Sequence, residues 1–338
     1  MKFLIIRFSS IGDIVLTTPV IRCLKEQTST TELHYLTKNA YRGIIADNPY
    51  IDKAHFVENN LGELIKRLRR ENFDYVIDLH HNLRSLRVKR ALAKPSFSFD
   101  KLNIEKWLYT ALKINRLPGL HIVDRYLDTV KPFGIRNDGR GLDFFIRDEE
   151  RIKATDIPTS HQAGYIAMVI GAAVNTKKYP VHKFRELCGL LDHPVILLGG
   201  AGDAENGREI ASVDNIKVYN ACGKFSLAES ADLVSRAKLV ITNDTGLMHI
   251  AAAFKRPVIS LWGNTVPAFG MYPYYGDKYL GGLENSPHEM VEIKDLACRP
   301  CSKIGYKKCP RGHFKCMESI RTDDLLKRIE RRIRFKDR

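Results

Sequence analysis

The sequence lacks any long apolar run. No uncharged apolar stretch approaches the roughly 18 residues that a membrane-spanning helix needs. Near the amino end, only the apolar run FLII separates Lys2 from Arg7. That run is shorter than the apolar core of a signal peptide. We therefore expect a cytoplasmic protein.

Acidic residues are scarce relative to basic ones. The 338 residues include 54 lysines and arginines against 39 aspartates and glutamates, which gives a formal net charge of +15. Such an excess indicates an anionic partner, namely nucleic acid, an anionic membrane surface or a phosphorylated substrate. The charge alone does not choose among these classes, although the sequence carries no recognisable RNA-binding signature.

A complete dinucleotide-binding fingerprint is also missing. Glycines stand at positions 199, 200 and 202 after an apolar run, but the third glycine of a G-x-G-x-x-G pattern would fall at Glu205. The classical nicotinamide-dinucleotide motif is therefore excluded. A carboxylate at this place can instead bind a ribose diol, so Glu205 is a candidate nucleotide contact.

Cysteines are few outside one segment. Cys23, Cys188 and Cys222 occur singly in apolar surroundings, as free core thiols do. The other four cluster near the carboxyl end, at Cys298, Cys301, Cys309 and Cys316. Their spacing is compatible with zinc, although the second pair is not a C-x2-C knuckle, and a cytoplasmic chain disfavours disulfides. The sequence leaves metal binding by this segment open.

Residues 239–263 (LVITNDTGLMHIAAAFKRPVISLWG) read as strand, turn, helix, turn and strand. The first N–H groups of such a helix point out of the carboxyl edge of a parallel sheet, where anions bind. Thr245 adds a hydroxyl there, and Gly246 permits close approach of a ligand. Asp244 suits sugar hydroxyls better than phosphate, and His249 returns to a similar helix face one turn later. This pattern indicates a ligand that is part phosphate and part polyol.

The same residues have a purely structural interpretation, which the sequence leaves open. Asp244 would then cap the helix, and His249 would be a half-buried histidine whose hydrogen bonds are satisfied. Residues 244–246 also match the aspartic protease tripeptide. That site needs two such carboxylates on β-loops, and here a helix follows a single copy, so we exclude a protease.

Two further polar turns follow predicted strands in the amino-terminal half. In residues 9–13 (SSIGD), Ser10 and Gly12 lie in the turn, and Asp13 at the helix start is either a cap or a general base. Asn82 and Arg84 come after another strand and open a basic helix. That basic face is either ordinary solvated surface or part of a site for an acidic substrate.

Strands and helices alternate along both halves of the chain, which predicts doubly wound α/β domains. The predicted strands are 2–8, 32–36, 54–57 and 75–80 in the first half, and 165–171, 194–200, 216–219 and 239–242 in the second. The predicted helices include 14–25, 61–70, 104–113, 122–133, 181–191, 205–211 and 227–235. A polar passage at 136–162 separates the halves, so we expect domains at 1–158 and 159–320, followed by a last helix at 321–338.

Two basic features stand in the second half. Lys177 follows a predicted strand, where its flexible ammonium could neutralise a diphosphate. The last helix carries an apolar stripe and an opposite basic face, made of Lys327, Arg328, Arg331, Arg332 and Arg334. Packing against a domain accounts for the stripe, and contact with an anionic membrane surface is a further interpretation of the basic face. From Trp262 to Met290 we predict a long loop.

Residues 8–13 (FSSIGD), 243–249 (NDTGLMH) and the cysteine-rich segment 298–316 together resemble glycosyltransferase family 9, the lipopolysaccharide heptosyltransferases. The resemblance spans nearly the whole chain. It implies a GT-B fold, in which two Rossmann-like domains face each other across a cleft and the last helix packs back on the first domain. It also implies heptose transfer from ADP-heptose on the second domain to a lipopolysaccharide inner-core acceptor, of the lipid A–Kdo type, on the first.

The resemblance also implies roles for individual residues. Asp13 becomes the catalytic base of an inverting, metal-independent transfer that uses no cofactor. The implied donor-binding residues are Lys177, Glu205, Phe225, Asp244, Thr245, Gly246 and His249. The implied acceptor-binding residues are Ser10, Gly12, Asn82 and Arg84. We expect a monomer that meets its anionic acceptor at the inner membrane surface and binds no nucleic acid.

Two other functions remain open on the sequence. A sugar-nucleotide enzyme with a different donor, or an epimerase, would share the donor site, and an epimerase would convert the donor without an acceptor. A nucleic-acid-binding protein would explain the charge but not the two carboxylate-bearing sheet edges. Its binding to arbitrary oligonucleotides would depend steeply on salt.

Overall fold

A computed structural model describes residues 1–28, 30–58, 60–277 and 287–334. Its strands are β1 (Lys2–Ile6), β2 (Glu32–Lys38), β3 (Lys53–Val57), β4 (Tyr75–Asp78), β5 (Ser96–Ser98), β6 (Ile166–Val169), β7 (Val195–Leu198), β8 (Val218–Asn220), β9 (Leu239–Asn243), β10 (Val258–Trp262) and β11 (His288–Glu292). They form two sheets, ordered β3-β2-β1-β4-β5 and β11-β10-β9-β6-β7-β8, in which the paired strands run parallel. We call the part of the chain around the first sheet the first lobe, and the part around the other the second lobe.

Helices connect the strands and cover the sheets. They are α1 (Ile11–Val15), α2 (Thr18–Glu26), α3 (Arg42–Ile45), α4 (Leu61–Arg70), α5 (Leu83–Leu92), α6 (Asn103–Trp107), α7 (Ile122–Leu127), α8 (Thr159–Gln162), α9 (Val181–Leu190), α10 (Ala204–Ala211), α11 (Leu227–Arg236), α12 (Gly246–Ala253), α13 (Lys315–Glu318) and α14 (Thr322–Arg334). A π-helical turn at 108–112 continues α6. The predicted doubly wound α/β architecture with two parallel sheets is confirmed.

The buried side chains fall into three layers because successive strand residues face opposite sides of a sheet. In β1, Phe3 and Ile5 join a middle layer that both lobes share, whereas Leu4 and Ile6 face the outer layer of the first lobe. In the second lobe, Val169 faces the middle layer. Both sheets are therefore covered on both faces, as parallel sheets require, and the lobes meet through a common apolar layer.

The predicted single helix at 14–25 is wrong, because the structure has two helices there, α1 and α2. The hydroxyls of Thr17 and Thr18 donate to the carbonyls of Ile14 and Val15, at 2.7 and 2.8 Å, and so complete the end of α1. Pro19 lies in the first turn of α2, where a missing N–H costs no intrahelical bond. The break leaves α1 as a separate short helix at the carboxyl end of β1.

The GT-B resemblance implies that the C-terminal helix packs on the first lobe. In the structure this helix packs on the second lobe instead. Leu325, Ile329 and Ile333 of α14 are buried in the outer layer of the second lobe, where α14 packs against α9. An apolar stripe predicts that one face of a helix is buried, but it does not predict which element covers that face. Residues 335–338 of the predicted helix lie outside the described residues.

A different segment, the loop after β10, connects the second lobe back to the first. The carbonyl of Gly270 accepts a hydrogen bond from the N–H of Ile122 at 2.8 Å, and the ring of His121 lies 2.9 Å from the carbonyl of Tyr272. Both first-lobe residues lie at the start of α7, which packs on α2. The predicted loop at 262–290 also contains the start of β11, and its residues 278–286 lie outside the described residues.

Two short strands, like the short helices α8 and α13, were not predicted from the sequence. β5 (SFS) and β11 (HEMVE) lack the apolar pattern of a strand, and they pair at sheet edges with β4 and β10. Such edge strands are specified by backbone pairing with a neighbour rather than by their own side chains. The domain limits at 158 and 320 stay predictions. In the part of the chain described here, no helix is both long enough and apolar enough to span a bilayer.

Candidate functional site

A cleft of about 640 Å³ lies between the lobes, at the carboxyl edges of both sheets. Its first-lobe lining includes Arg7, Ser10, Gly12, Asp13, Lys101, Asn103 and Lys106, and its second-lobe lining includes Ala173, Lys177, Asp244, Thr245, Gly246, His249, Lys303 and Ile304. The predicted meeting of the two carboxylate-bearing turns in one cleft is confirmed. This is the edge where open α/β sheets bind their ligands.

Asp13 is held on the first-lobe wall by Arg7 and Ser10. Arg7 Nη2 lies 2.7 Å from Asp13 Oδ1, while the Ser10 hydroxyl and N–H donate to Oδ2 at 2.7 and 3.1 Å. Burial by itself raises the pKa of Asp13, but the Arg7 charge and the Ser10 hydrogen bonds outweigh it, so the pKa lies below its ordinary value. The carboxylate is therefore ionised at neutral pH and points into the cleft with a fixed orientation.

Arg7 is itself positioned by the first sheet. The side chain is 8% exposed, and its guanidinium donates to the carbonyls of Leu79 and Ser9 at 2.5 and 2.8 Å. The Tyr126 hydroxyl lies 3.0 Å from Nη1. Because these neutral acceptors do not cancel its charge, Asp13 supplies the counter-charge that a buried guanidinium needs. Arg7 was not predicted as a site residue, because in the sequence it stands only at the end of an apolar strand.

The second-lobe wall presents an ion pair beside a helix start. Lys177 Nζ lies 2.6 Å from Asp244 Oδ2, which also accepts a hydrogen bond from the Thr265 hydroxyl at 2.9 Å. The N-cap of α12 is Thr245, whose side chain accepts no hydrogen bond from the first N–H groups of this helix. The interpretation of Asp244 as the helix cap is therefore wrong. The uncapped helix start and the ammonium of Lys177 together offer donors for an anion.

His249 lies deeper in the same wall. Its side chain is 2% exposed, and burial lowers its pKa to about 4 although Asp244 and Asp13 oppose that change. The ring is therefore neutral at pH 7. Its Nδ1 atom has no hydrogen-bond partner among the described residues. A buried polar atom without a partner beside a cleft is one that a ligand can satisfy.

A smaller cavity of about 360 Å³ continues from the cleft along the second lobe. Thr245 and Gly246 line both spaces, and Phe225 lines only the smaller one. The remaining lining includes glycines 199 and 200 with Leu227 and Asp203. An aromatic ring, small residues and one carboxylate suit a nucleoside. Phe225, one of the implied donor-binding residues, therefore lines the cavity that suits a nucleoside.

Glu205 does not line either space. Its side chain is 78% exposed on α10 and pairs with Arg208. Asp203, two residues earlier, lines the smaller cavity, where it pairs with Lys178 at 2.6 Å. Asp203 could have been predicted from the sequence, because its carboxylate lies nearer to the end of β7 than that of Glu205. A ribose contact by Glu205 stays a prediction that these positions do not support.

The predicted acceptor residues divide into two groups. Ser10 and Gly12 line the cleft, whereas Asn82 and Arg84 do not. Asn82 caps α5 by accepting from the N–H of Ser85 at 2.9 Å, and the Arg84 guanidinium lies 5.5 Å from the centre of the Phe8 ring. Both have local structural roles that account for their positions.

Three lysines that the sequence did not predict add positive charge to the cleft, two from the first lobe and one from the second. Lys101, Lys106 and Lys303 line the cleft. Burial, followed by the charges of Arg125 and Lys303, lowers the pKa of Lys106 to about 8. Burial and the Arg7 charge lower the pKa of Lys101. Crowded, partly desolvated cations are relieved by an anionic ligand, so this region is suited to a phosphorylated or carboxylated molecule.

The four clustered cysteines do not form a closed ligand set. Cys298 Sγ lies 3.8 Å from His313 Nε2, and burial raises the pKa of Cys301 to about 11. Among the described residues, the metal-ligating atoms that converge within 4.8 Å belong to another group, made of His34, His55 and Glu71. Glu71 already pairs with Lys2 and Lys53. That group therefore belongs to an ion-pair network at the first sheet, and its residues do not line the cleft.

Comparison with known proteins gives a consistent result. Residues 61–295 match the sequence model of glycosyltransferase family 9 (heptosyltransferase). Lipopolysaccharide heptosyltransferase 1 of Campylobacter coli is 28% identical over 357 aligned residues, which cover 98% of each chain. The structure of E. coli ADP-heptose lps heptosyltransferase II has a TM-score of 0.75 at 20% identity, with 100% of both chains covered. A family 9 glycosyl transferase from Veillonella parvula has a TM-score of 0.78 at 24% identity, over 98% of this chain and 97% of that one. The family match spans well over half of the sequence, and the chain belongs to glycosyltransferase family 9.

Proposed function

We propose that this protein transfers a heptose from ADP-heptose to the inner core of a lipopolysaccharide, with inversion at the anomeric carbon. One observation carries the proposal. An ionised carboxylate, Asp13, faces an ammonium and an uncapped helix start, at Lys177 and Thr245, across a single cleft. The relatives, which include lipopolysaccharide and ADP-heptose heptosyltransferases, supply the sugar and the acceptor class.

In the proposed complex the donor occupies both spaces of the second lobe. The adenine lies in the smaller cavity beside Phe225, and the diphosphate lies against Lys177 and the first N–H groups of α12. Asp244 and His249 contact sugar hydroxyls, because their carboxylate oxygens and imidazole nitrogens suit polyols. The acceptor lies against the first lobe, where Ser10, Lys101 and Lys106 bind its hydroxyl and anionic groups, and Lys303 contacts it from the second lobe.

The proposed reaction is a single displacement. Asp13 accepts the proton of an acceptor hydroxyl, and that oxygen forms a bond to the anomeric carbon as the bond to the ADP oxygen breaks on the opposite face. The charge that develops on ADP is stabilised by Lys177 and the positive end of α12. Because these groups can stabilise the leaving group, we propose that no metal ion is required. Activity that survives exhaustive chelation would support this, and restoration by a divalent ion alone would contradict it.

The deciding experiment is a mass-spectrometric assay of the purified chain with ADP-heptose and a lipid A–Kdo acceptor. We expect acceptor mass to increase by one heptose and ADP to appear in equal amount. Product with UDP- or GDP-sugars but not with ADP-heptose would favour a different donor. Conversion of the donor without acceptor would favour an epimerase. Tight binding of arbitrary oligonucleotides without ADP affinity would favour a nucleic-acid-binding protein.

We further propose that the protein acts as a monomer in the cytoplasm, at the inner surface of the membrane that holds its acceptor. Light scattering coupled to gel filtration tests the first part, since a monomer has a mass of 38.5 kDa. Cell fractionation tests the second part. A constant mass above that of one chain would overturn the monomer.

A further inference from the structure

A group of exposed apolar side chains surrounds the mouth of the cleft. Ile104 is 71% exposed and Trp107 is 58% exposed on α6, Leu112 and Ile114 follow at 54% and 45%, and Ile304 is 69% exposed on the second lobe. We call these five residues, with the 41% exposed Tyr306, the apolar rim. Large apolar side chains that are exposed in one contiguous region, rather than scattered singly, indicate an interaction surface.

The apolar rim is continuous with the cleft and draws on both lobes. Asn103 and Lys106 of α6 line the cleft together with Ile304. Lys303 Nζ lies 3.3 Å from Asn103 Oδ1, and Lys113 Nζ donates to the carbonyl of Pro300 at 2.7 Å. These contacts join the segment after α6 to the cysteine-rich loop. Any surface that covers the rim therefore also lies over the entrance of the cleft.

The charge around the apolar rim is predominantly positive. Residues 101–123 contain four lysines and arginines and one acidic residue, Glu105. Residues 300–316 contain Lys303, Lys307, Lys308, Arg311 and Lys315 and no acidic residue. Exposed apolar and aromatic side chains flanked by cations match the interface of an anionic bilayer, where tryptophan and tyrosine sit at headgroup level.

The basic face of the last helix, the membrane contact suggested by the sequence, is a poorer candidate. Arg328, Arg331 and Arg332 of α14 all pair with Glu289, at 2.8, 2.9 and 2.7 Å. Their apolar neighbours on the helix are buried in the second lobe. Three of its cations are therefore already paired, and the apolar stripe of the helix is buried rather than exposed for interfacial binding.

We propose that the apolar rim docks on an anionic lipid bilayer and so places the mouth of the cleft over the lipid surface. This rests on the proposed function, because it gives a lipid-linked acceptor direct access to Asp13 without leaving the membrane. Docking itself, however, needs only the rim and its cations, and so it is measured without donor or acceptor.

The two tryptophans make the test specific. Trp107 is in the rim and Trp262 is 1% exposed in the core. In a Trp262→Phe background, vesicles of phosphatidylethanolamine with 30% phosphatidylglycerol should shift Trp107 emission to the blue, and brominated lipids should quench it. Phosphatidylcholine vesicles should do so much less. Unchanged emission at saturating anionic lipid would overturn the proposal.

A matched pair of variants separates docking from general loss of apolar surface. The double variant Ile104→Ser with Trp107→Ser should lower the vesicle partition coefficient at least about tenfold. The control is Ile216→Ser, because Ile216 is 80% exposed but lies far along the sequence in the second lobe. Equal losses in both, or none in the double variant, would overturn the proposal. Unchanged melting temperatures exclude misfolding.

Activity on two forms of the acceptor distinguishes failure of docking from failure of the proposed function. The double variant should transfer to a deacylated, water-soluble acceptor at the wild-type rate and lose at least about tenfold in kcat/KM on acceptor embedded in vesicles. Equal rates on both acceptors would overturn the docking role. If the wild type binds vesicles but is inactive on both acceptors, the proposed function fails and the docking surface stands.

Discussion

Gly12 and His249 belong to different lobes and touch so closely that a Cβ added to Gly12 would lie 2.5 Å from His249 Cδ2. On the other side of this contact, a Cβ added to Gly246 would lie 2.7 Å from Ile11 Cγ2. Glycine is required at both positions by the approach of α1 to α12, not by an unusual backbone angle. Because Gly12 and Gly246 have no Cβ atoms, α1 and α12 can approach closely, and this approach sets the spacing between Asp13 and the donor site.

The first prediction concerns Gly12→Ala. The added methyl group must push α1 away from α12, so we expect kcat/KM for heptose transfer to fall about tenfold to a hundredfold, since small misplacements of reacting groups have effects of this size. Gly43→Ala is the control, because a Cβ there meets nothing within 4 Å. Steady-state kinetics compare the two. Equal activities would show that the contact does not set the spacing.

The second prediction concerns Asp13→Asn. Loss of the carboxylate removes the proposed proton acceptor, so kcat should fall about 100-fold or more while the Kd for ADP stays within about threefold. Arg7 also loses its counter-charge, and the melting temperature must be measured beside the kinetics. Asp52→Asn serves as control, because Asp52 pairs with Lys25 away from the cleft. Parallel loss of turnover and ADP binding would contradict the assignment of the base.

The third prediction concerns Lys177→Met. A charge-assisted contact to the diphosphate would be lost, so the Kd for ADP should rise about tenfold or more, or about 1.4 kcal/mol. Adenosine has no diphosphate, and its affinity should not change. Lys66→Met is the control, because Lys66 is 69% exposed on α4. Calorimetry measures the affinities of the wild type and both variants for ADP and for adenosine. An equal loss of adenosine affinity in Lys177→Met would place Lys177 away from the phosphates.

The fourth prediction concerns acid stability and His121. This ring is 2% exposed, accepts from the N–H of Val123 at 3.1 Å and contacts the carbonyl of Tyr272, and burial lowers its pKa to about 3. The unfolded chain therefore binds the proton more readily than the folded one. The contribution of His121 to stability is fully present above pH about 6.5 and is lost as the pH falls through about 3.

Urea unfolding between pH 7 and pH 4 measures this effect. Over this pH range the wild type should lose about 3 kcal/mol through this ring, and His121→Gln should show a shallower dependence on pH. His182→Gln is the control, because His182 is 64% exposed. The same slope in the wild type and in His121→Gln would show that His121 does not couple the loop after β10 to folding.

Much of the site could be predicted from residues that are adjacent in sequence. A strand followed by a polar turn and a helix delivers its turn residues to one edge of a parallel sheet, so Asp13, Thr245 and His249 met where the motifs placed them. Glu205 stays a prediction, and the structure has its side chain in solvent while Asp203, two residues earlier, lines the cavity. The two side chains face different directions because the chain enters a helix here, which turns about 100° per residue. Only the position of Asp203 nearer to the end of β7 distinguishes the two carboxylates in the sequence.

Cations that reach the cleft from distant segments were invisible for another reason. Lys101, Lys106 and Lys303 carry no local signal that points to a cleft, and only the docking of the lobes brings them together. The same holds for α14, whose apolar stripe would fit either lobe and packs on α9.

The sequence by itself determined two parallel α/β sheets, the family, and the turn residues at the carboxyl edges, because apolar periodicity and turn chemistry act within about ten residues of the chain. Tertiary structure alone decided which lobe holds the last helix, which lysines surround Asp13, and how closely Gly12 approaches His249. Those outcomes depend on the phase of each helix and on the fit of one lobe against the other. Both are set by packing over the whole molecule rather than by neighbours in sequence.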